Sequence, residues 1–560
     1  MFNKIFDLAD LKNKKSAKEC EHSNEDYFKD DIFKKYLDNK DGLILSKNIG
    51  IPLDSKNTNI CMIGGSGSQK TYAFTEPNLM QANSSYLIAD RFLKTYSKFS
   101  QFLSSIGYEV KVVDLAEVED LKGKTGYTKD QYNPFEYLYS SEDIDILTET
   151  IILNTKPIYN LEYFQSLDKM LLNILISYIH FSMPKDEQSF ASLLKLLKSC
   201  SKSKSLNEIE SFCKASNNSL KNKFEKFKEI VGENQENVFN SCLGRLKIFE
   251  NKALLELTSK DNLELDKISD RKTAIFLNLF ERDFEEEDDF SLISAMLYTQ
   301  TINILRDYAE NTAEFSQIIA SNGEVIKTFK AKDKEDSLSK KEEALEFLNK
   351  AKNAEIVLNN SLSRFEARTK DDELILFRRQ EFDAKKALSD LLEYGKVVEN
   401  KELNGGAGRK LPIHTTIFSK EFYRIGIIPD LALNMNKLVD RNISIIISLL
   451  YLDILRNSYK NSWEEILKGC GVILFMGGCG CRSKDGEKLI EIVNEEKNRG
   501  TIIKNDISNS ESEIDRMFMM FREKCLVIIK SKIVCIDEKY NPSLNKNYEC
   551  AKKLSLTEAF

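Results

Sequence analysis

Histidine is scarce in this chain, three in 560 residues, and none lies near the only cysteine cluster, Cys470 with Cys479-Gly-Cys481. A structural zinc site wants four ligands, so this cluster is expected to be ordinary thiols, with no metal called. The eleven cysteines run from Cys20 to Cys550 without framework spacing, which excludes a disulfide scaffold and fits a reducing cytosol. There is no basic excess. The net charge of -7 leaves any nucleic-acid contact to a local patch or to partners. Long apolar runs are also missing. Those around Met170 to Met183 and Ile443 to Leu452 fall short of the roughly 18 residues of a membrane span. The N-terminus, Met1 to Leu8, carries no apolar core of the signal-peptide type. A soluble, cytoplasmic chain is the expectation.

With 42% hydrophobic and 30% charged residues, the balance is that of a globular protein, and the length allows two to four domains. The most informative stretch is Ile60-Cys-Met-Ile-Gly-Gly-Ser-Gly-Ser-Gln-Lys-Thr71, an apolar lead-in, a glycine-rich turn, then Lys70 and Thr71. It matches the phosphate-binding pattern G-x-x-x-x-G-K-[ST] except at Gln69, where backbone N–H groups must close on phosphate oxygens at a helix start. Candidate nucleotide-binding residues are therefore Gly64, Gly65, Ser66, Gly67, Ser68, Gln69, Lys70 and Thr71.

In chain order, residues 1–42 read as a charged, partly ordered helical arm. Strand-like runs at the loop, at Ser85 to Asp90 and at Tyr108 to Asp114 alternate with helical sequence, which implies a parallel sheet through about residue 150. Residues 151–265 show helical periodicity and almost no strand signal, so an all-α domain is expected there. Strand signal returns at Thr273 to Leu279, followed by the acidic turn Glu281 to Asp289, within a core segment 266–315. Residues 316–408 are rich in Lys, Glu and Ala and end in Asn404-Gly-Gly-Ala-Gly408; they read as a charged helical hairpin at the sheet's edge. Residues 409–560 supply further core strands at His414 to Glu421, Asn442 to Leu450 and Gly471 to Met476, and a last one at Lys524 to Lys530.

The ordered series Ile44-Leu-Ser-Lys-Asn, Gly64 to Thr71, Glu76-Pro-Asn-Leu-Met-Gln-Ala-Asn83, Tyr132-Asn-Pro-Phe135, Asp270-Arg-Lys-Thr-Ala, Leu297-Tyr-Thr-Gln300, Glu421-Phe with Ile425-Gly-Ile-Ile-Pro429, and Leu474-Phe-Met-Gly-Gly478 resembles the conjugative type IV coupling proteins. These are the TraG and TraD group of hexameric DNA-pumping ATPases. The resemblance runs from about Ile44 to Tyr548 and implies an α/β fold: a RecA-like P-loop NTPase core with a mainly parallel sheet and an inserted all-α domain. It implies ATP and Mg²⁺ as cofactors, DNA and relaxase or secretion components as partners, and assembly with itself or with an active coupling protein. The family's N-terminal transmembrane segments have no counterpart here.

Four departures fall where the family's chemistry lies. Gln69 replaces the last loop glycine, so its side chain either blocks the phosphate or takes a torsion costing a non-glycine residue about 1–2 kcal/mol. Lys420-Glu421 stands where an Asp-Glu pair is expected. At about 4 Å and an effective dielectric near 20, unit charges interact by about 4 kcal/mol, and a divalent ion roughly doubles the repulsion from Lys420. Leu450 stands in place of a phosphate-sensing glutamine, and of the Asp-Pro-Lys-Gly-Glu segment only Asp90 remains. Glu421, vestigial as the water-activating group or merely paired with Lys420, and Arg441, which matches a subunit-boundary arginine, are the surviving catalytic candidates. Phosphoryl transfer depends on positioning and charge, so these losses argue against turnover. Three roles stay open: a non-catalytic scaffold or regulatory subunit, an active DNA-translocating ATPase, and a soluble DNA or effector adaptor.

Overall fold

The computed structural model describes residues 42–115, 129–159, 161–279, 291–311, 314–321, 325–331, 334–359, 364–378, 380–400, 410–477, 483–499, 501–503 and 524–555. The N-terminal arm, the acidic turn Glu281 to Asp289, the Asn404 to Gly408 stretch, and Cys479 and Cys481 lie outside them. The chain forms two compact units, one of residues 1–58, 62–83 and 471–548, the other of 59–61, 84–470 and 549–560. This division cuts across the six segments expected from the sequence.

The strands in chain order are β1 (Leu43–Ile44), β2 (Gly50–Ile51), β3 (Ile60–Gly64), β4 (Ser85–Ala89), β5 (Glu109–Asp114), β6 (Thr273–Asn278), β7 (Glu314–Ile319), β8 (Val325–Ala331), β9 (Glu355–Asn359), β10 (Arg364–Arg368), β11 (Leu374–Arg378), β12 (Lys396–Asn400), β13 (Thr415–Ser419), β14 (Ile443–Leu449), β15 (Val472–Gly477), β16 (Ile502–Ile503), β17 (Lys524–Ile529) and β18 (Ile533–Glu538).

In the first unit the strands run β16-β18-β17-β15, with β3 beside β15. The strand expected as the last, now β17, turns back into β18 as an antiparallel hairpin that the sequence did not announce. Asp537 on β18 holds the turn between β1 and β2, accepting from Asn48 N–H at 2.9 Å and Ser46 Oγ at 2.6 Å.

The second unit carries a five-stranded sheet in the order β14-β13-β4-β6-β5, every pairing parallel. Its strands read as nearly unbroken apolar runs because both faces are covered, and β6, β13 and β14 are buried at every residue. His414 sits just ahead of β13, with Nδ1 2.9 Å from Ser84 Oγ and Nε2 3.0 Å from Ser444 Oγ. Burial lowers its pKa to about 3.

Between β5 and β6 the described residues form helices and no strand: α1 (Ser141–Leu153), α2 (Glu162–Ser182), α3 (Phe190–Ser203), α4 (Asn207–Ala215), α5 (Asn218–Val231), α6 (Gln235–Arg245) and α7 (Lys252–Leu257). Ser140 and Asp143 form a reciprocal capping box that starts α1, and Asn217 caps α5 by accepting from Leu220 N–H at 3.0 Å. The bundle's centre holds a fully buried ion pair, Arg245 Nε to Asp168 Oδ2 at 2.8 Å. Arg245 also donates to the carbonyls of Ile152 and Thr155, and Ser241 donates to Asp168. Hydrogen bonds that take up most of a buried pair's polar atoms make it tolerable; here only Arg245 Nη2 of the guanidinium has no hydrogen-bond partner among the described residues.

The 316–408 insertion differs from the expected helical hairpin. Its two helices, α8 (Lys334–Ala351) and α9 (Glu381–Tyr394), are present, but six strands accompany them. The order is hairpin, helix, strand, repeated once: β7-β8-α8-β9, then β10-β11-α9-β12. The last strands are exchanged. β12 pairs with β7 and β9 pairs with β10, so each three-stranded sheet is one repeat's hairpin completed by the other repeat's final strand. Ile318, Ala344 and Phe347 of the first repeat and Ala367, Ile375 and Leu391 of the second share one core. Lys and Glu on the solvated faces masked these strands, which lack the unbroken apolar runs of strands covered on both faces.

Two outcomes follow. The folded His414 stays neutral down to about pH 3, whereas the unfolded imidazole takes a proton below about pH 6.5. Its contribution to stability is thus complete above pH 6.5 and lost as pH falls, at about 1.4 kcal/mol per pH unit. Denaturation midpoints between pH 7 and pH 5 should show this slope, and His414→Gln should remove it. For the insertion, Val397→Asp places a charge against its core. Hydrogen exchange should then lose amide protection in β7, whose Ile318 pairs with Val397, more than in β10 and β11, which are nearer in sequence.

Candidate functional site

In the first unit, β3 runs into the glycine-rich loop. Gly64 is required by space: a Cβ there would come 2.6 Å from Ser68 Oγ and 3.0 Å from Met476 Cβ. Gly67 is required by conformation, with φ +74° and nothing near its missing Cβ. The loop is pinned by Gly65 N–H donating to Gly477 O at 2.9 Å and by Ser68 N–H donating to Gly65 O at 3.2 Å.

Gln69 resolves the choice posed by its side chain: the backbone takes the left-handed torsion, φ 65°, and the side chain is exposed. The cost is backbone strain of about 1–2 kcal/mol. Lys70 turns its ammonium into the loop, donating to Gly64 O, to Gly65 O at 3.1 Å and to Ser68 Oγ at 3.3 Å. Thr71 opens a π-helical turn, Thr71–Thr75, that continues as the helix Glu76–Gln81.

A second cation, Lys539, donates to Ser68 O at 3.0 Å, and burial lowers its pKa. Sequence reasoning missed it. Lys539 lies 471 residues from Ser68 and carries no motif, so only the fold brings it to the loop.

In the second unit the C-terminal ends of the parallel strands gather Asp90 after β4, Lys420 and Glu421 after β13, and Leu450 after β14. This is the edge where open α/β sheets hold ligands. Arg441 precedes β14 and therefore lies at the opposite edge; seven strand residues at about 3.3 Å each separate it from Leu450.

Lys420 and Asp90, two of the altered positions, meet. The Lys420 ammonium is 3.0 Å from Asp90 Oδ1 and donates to Thr95 Oγ1 at 2.7 Å. Asp90 is fully buried and accepts Tyr96 N–H on its other oxygen at 2.8 Å.

Glu421 is not paired with Lys420 as one expectation had it. It has φ 51° and lies 3.8 Å from Arg91 Nη1 and 2.8 Å from Arg424 Nε. That Nε–H is donated to Tyr423 Oη at 2.9 Å, and Glu421 Oε2 is left without a hydrogen bond. Deeper along the same edge, Asn278 donates to Asp114 at 2.6 Å and accepts Phe92 N–H at 2.9 Å.

These residues fit a phosphoryl group only in part and fit Mg²⁺ poorly. The loop keeps its lysine, its close backbone and the helix start that favour an anion. At the strand edge, a divalent ion would face the Lys420 ammonium, while Asp90 is committed to that ammonium and Glu421 to two guanidinium groups. No group of three or more His, Cys, Asp or Glu side chains arranged for a metal occurs among the described residues. Cys470 is a buried thiol donating to Ile466 O at 3.4 Å.

Removing the cation from the edge should be costly. Lys420→Met leaves a fully buried Asp90 carboxylate without its counter-charge, a loss of about 3–5 kcal/mol. Denaturant unfolding of Lys420→Met, Asp90→Asn and the double variant should show the double variant recovering most of that loss.

A sequence model of the family described as type IV secretory system conjugative DNA transfer matches residues 8–319. No curated protein sequence matches the chain. Among solved structures, the chain is similar to the plasmid coupling protein TrwB in complex with the non-hydrolysable ATP analogue ADPNP, at 9% identity and a TM-score of 0.47, over 91% of both chains. It is also similar to VirB4 of Thermoanaerobacter pseudethanolicus, at 11% identity and a TM-score of 0.38, over 90% of this chain and 97% of that one. Among the described residues no helix is long and apolar enough to cross a membrane. Because the family match takes in more than half of the 560 residues, the chain belongs to the type IV secretory system conjugative DNA transfer family.

Proposed function

We propose that this member of the conjugative DNA transfer family is a non-catalytic scaffold or regulatory subunit of a transfer machinery, acting in the cytoplasm. The observation that carries it is the Lys420–Asp90 ion pair at the C-terminal edge of the parallel sheet. The resemblance places a metal-positioning carboxylate at 420, and here that position is a cation already neutralised from within. Gln69, Leu450 and the doubly paired Glu421 support the same reading. Partners follow from the resemblance: an active coupling protein, a relaxase or other secretion components, and DNA.

Lys70 retains its place in the loop, so nucleotide binding without turnover is compatible with this role. The bonds of Lys420 to Asp90 and Thr95 argue against its standing in for Mg²⁺ on a bound nucleotide.

The test is steady-state ATP hydrolysis by the purified chain with Mg²⁺ and single-stranded DNA, beside calorimetry with ATP with and without EDTA. Hydrolysis indistinguishable from that of Lys70→Ala is expected, and any ATP binding should be insensitive to EDTA. DNA-stimulated turnover that disappears in Lys70→Ala would overturn the proposal in favour of an active translocase.

A further inference from the structure

The helical insertion contains a cavity of about 260 Å³ that nothing in the nucleotide chemistry uses, lined among others by Ser141, Asn173, Ser177, Phe181, Ser219 and Lys223. Two helices begin at it. Ser141 is the first residue of α1, while Asn217, the N-cap, and Ser219 open α5. Each cap already satisfies one N–H: Ser140 Oγ accepts from Asp143 and Asn217 Oδ1 from Leu220. The first two N–H groups of each helix have no intrahelical acceptor. Helix α5, of 14 residues with no acidic residue in its first turn, also directs a positive dipole end here.

Two side chains add to the backbone. Lys223, less than two turns into α5, reaches the cavity and is tethered by Asp145 at 2.6 Å and by Asn173 Oδ1 at 3.0 Å. Asp145 is about half exposed, 53%, so water can take it over if a stronger anion competes for Lys223. Ser177, on the wall formed by α2, is only 5% exposed, and its hydroxyl has no hydrogen-bond partner among the described residues. A hydroxyl that lines a cavity without a protein partner is left to water or to a ligand. At the mouth, Phe181 is 55% exposed and Leu220 is buried beside it, which gives an apolar wall next to the donors.

We infer that this cavity binds a small phosphate monoester. Its phosphoryl oxygens are taken by the starts of α1 and α5, the Lys223 ammonium and the Ser177 hydroxyl, and its organic body lies against Phe181. A tetrahedral dianion uses more of these donors than a carboxylate can. The inference is independent of whether the glycine-rich loop binds nucleotide.

Calorimetry on the full chain with phenyl phosphate, inorganic phosphate, phenylacetate and phenol tests it. Phenyl phosphate should bind, inorganic phosphate more weakly for want of the ring, and phenol not at all. Ser177→Ala and Lys223→Gln should each weaken phenyl phosphate about tenfold, as expected for a lost hydrogen bond to a charged group. Lys70→Ala should leave it unchanged, which separates this site from the loop. Binding that vanishes in Lys70→Ala, that survives both cavity substitutions, or that favours phenylacetate over phenyl phosphate overturns the inference, as does no binding of any phosphate at about 10 mM.

Discussion

The buried pair between Lys420 and Asp90 is the constraint on which the site's chemistry depends. A largely buried ammonium at the end of a parallel strand is costly without a counter-charge, and the neighbouring strand supplies one from the only acidic residue left in its altered segment. The two departures are therefore one device. On the reading proposed above, Lys420 stands where the resemblance places a metal-positioning carboxylate, and the retained Asp90 makes the lysine tolerable. Once the two are locked, with Thr95 taking a further ammonium proton, neither group is available to ligand chemistry without leaving the other buried and unpaired.

The same edge shows how Glu421 is held. Glu421 keeps its place in sequence but stands between Arg91 and Arg424 on a left-handed backbone. Its carboxylate is thus held by two guanidinium groups and not by the adjacent Lys420. Phe92 and Leu93, on the loop after β4, are also left-handed, with φ 58° and 50°. Non-glycine residues hold such torsions only where surrounding contacts over-determine them. The edge is therefore organised around its internal ion pairs.

Much of this was legible in the sequence, and what was not has physical reasons. Doubly covered parallel strands are unbroken apolar runs, so β4, β6, β13 and β14 could be read to within a residue or two. The loop could be read because two of its glycines are forced, Gly64 by space and Gly67 by torsion. The strands of the insertion could not, because their sheets are half solvated and their partners are exchanged between repeats. β12 must find β7 across the whole insertion, and no local pattern encodes that. Which acid would meet which base was equally hidden. Glu421 is adjacent to Lys420 in sequence, yet successive residues at a strand end diverge, and the fold gives Lys420 to Asp90, 330 residues away.

The exchanged insertion and the altered edge both bear on the non-catalytic role proposed above. A motor needs its nucleotide site to change charge and shape with each cycle, and low-stability, responsive elements serve that need. Here the edge is neutralised by fixed pairs. In the insertion, the strand exchange makes two repeats interdependent, since neither hairpin has a complete sheet without the other's final strand. Both features stabilise one arrangement at the expense of alternatives. A subunit whose task is to hold partners in register benefits from that bias, whereas a translocating ATPase would have to work against it.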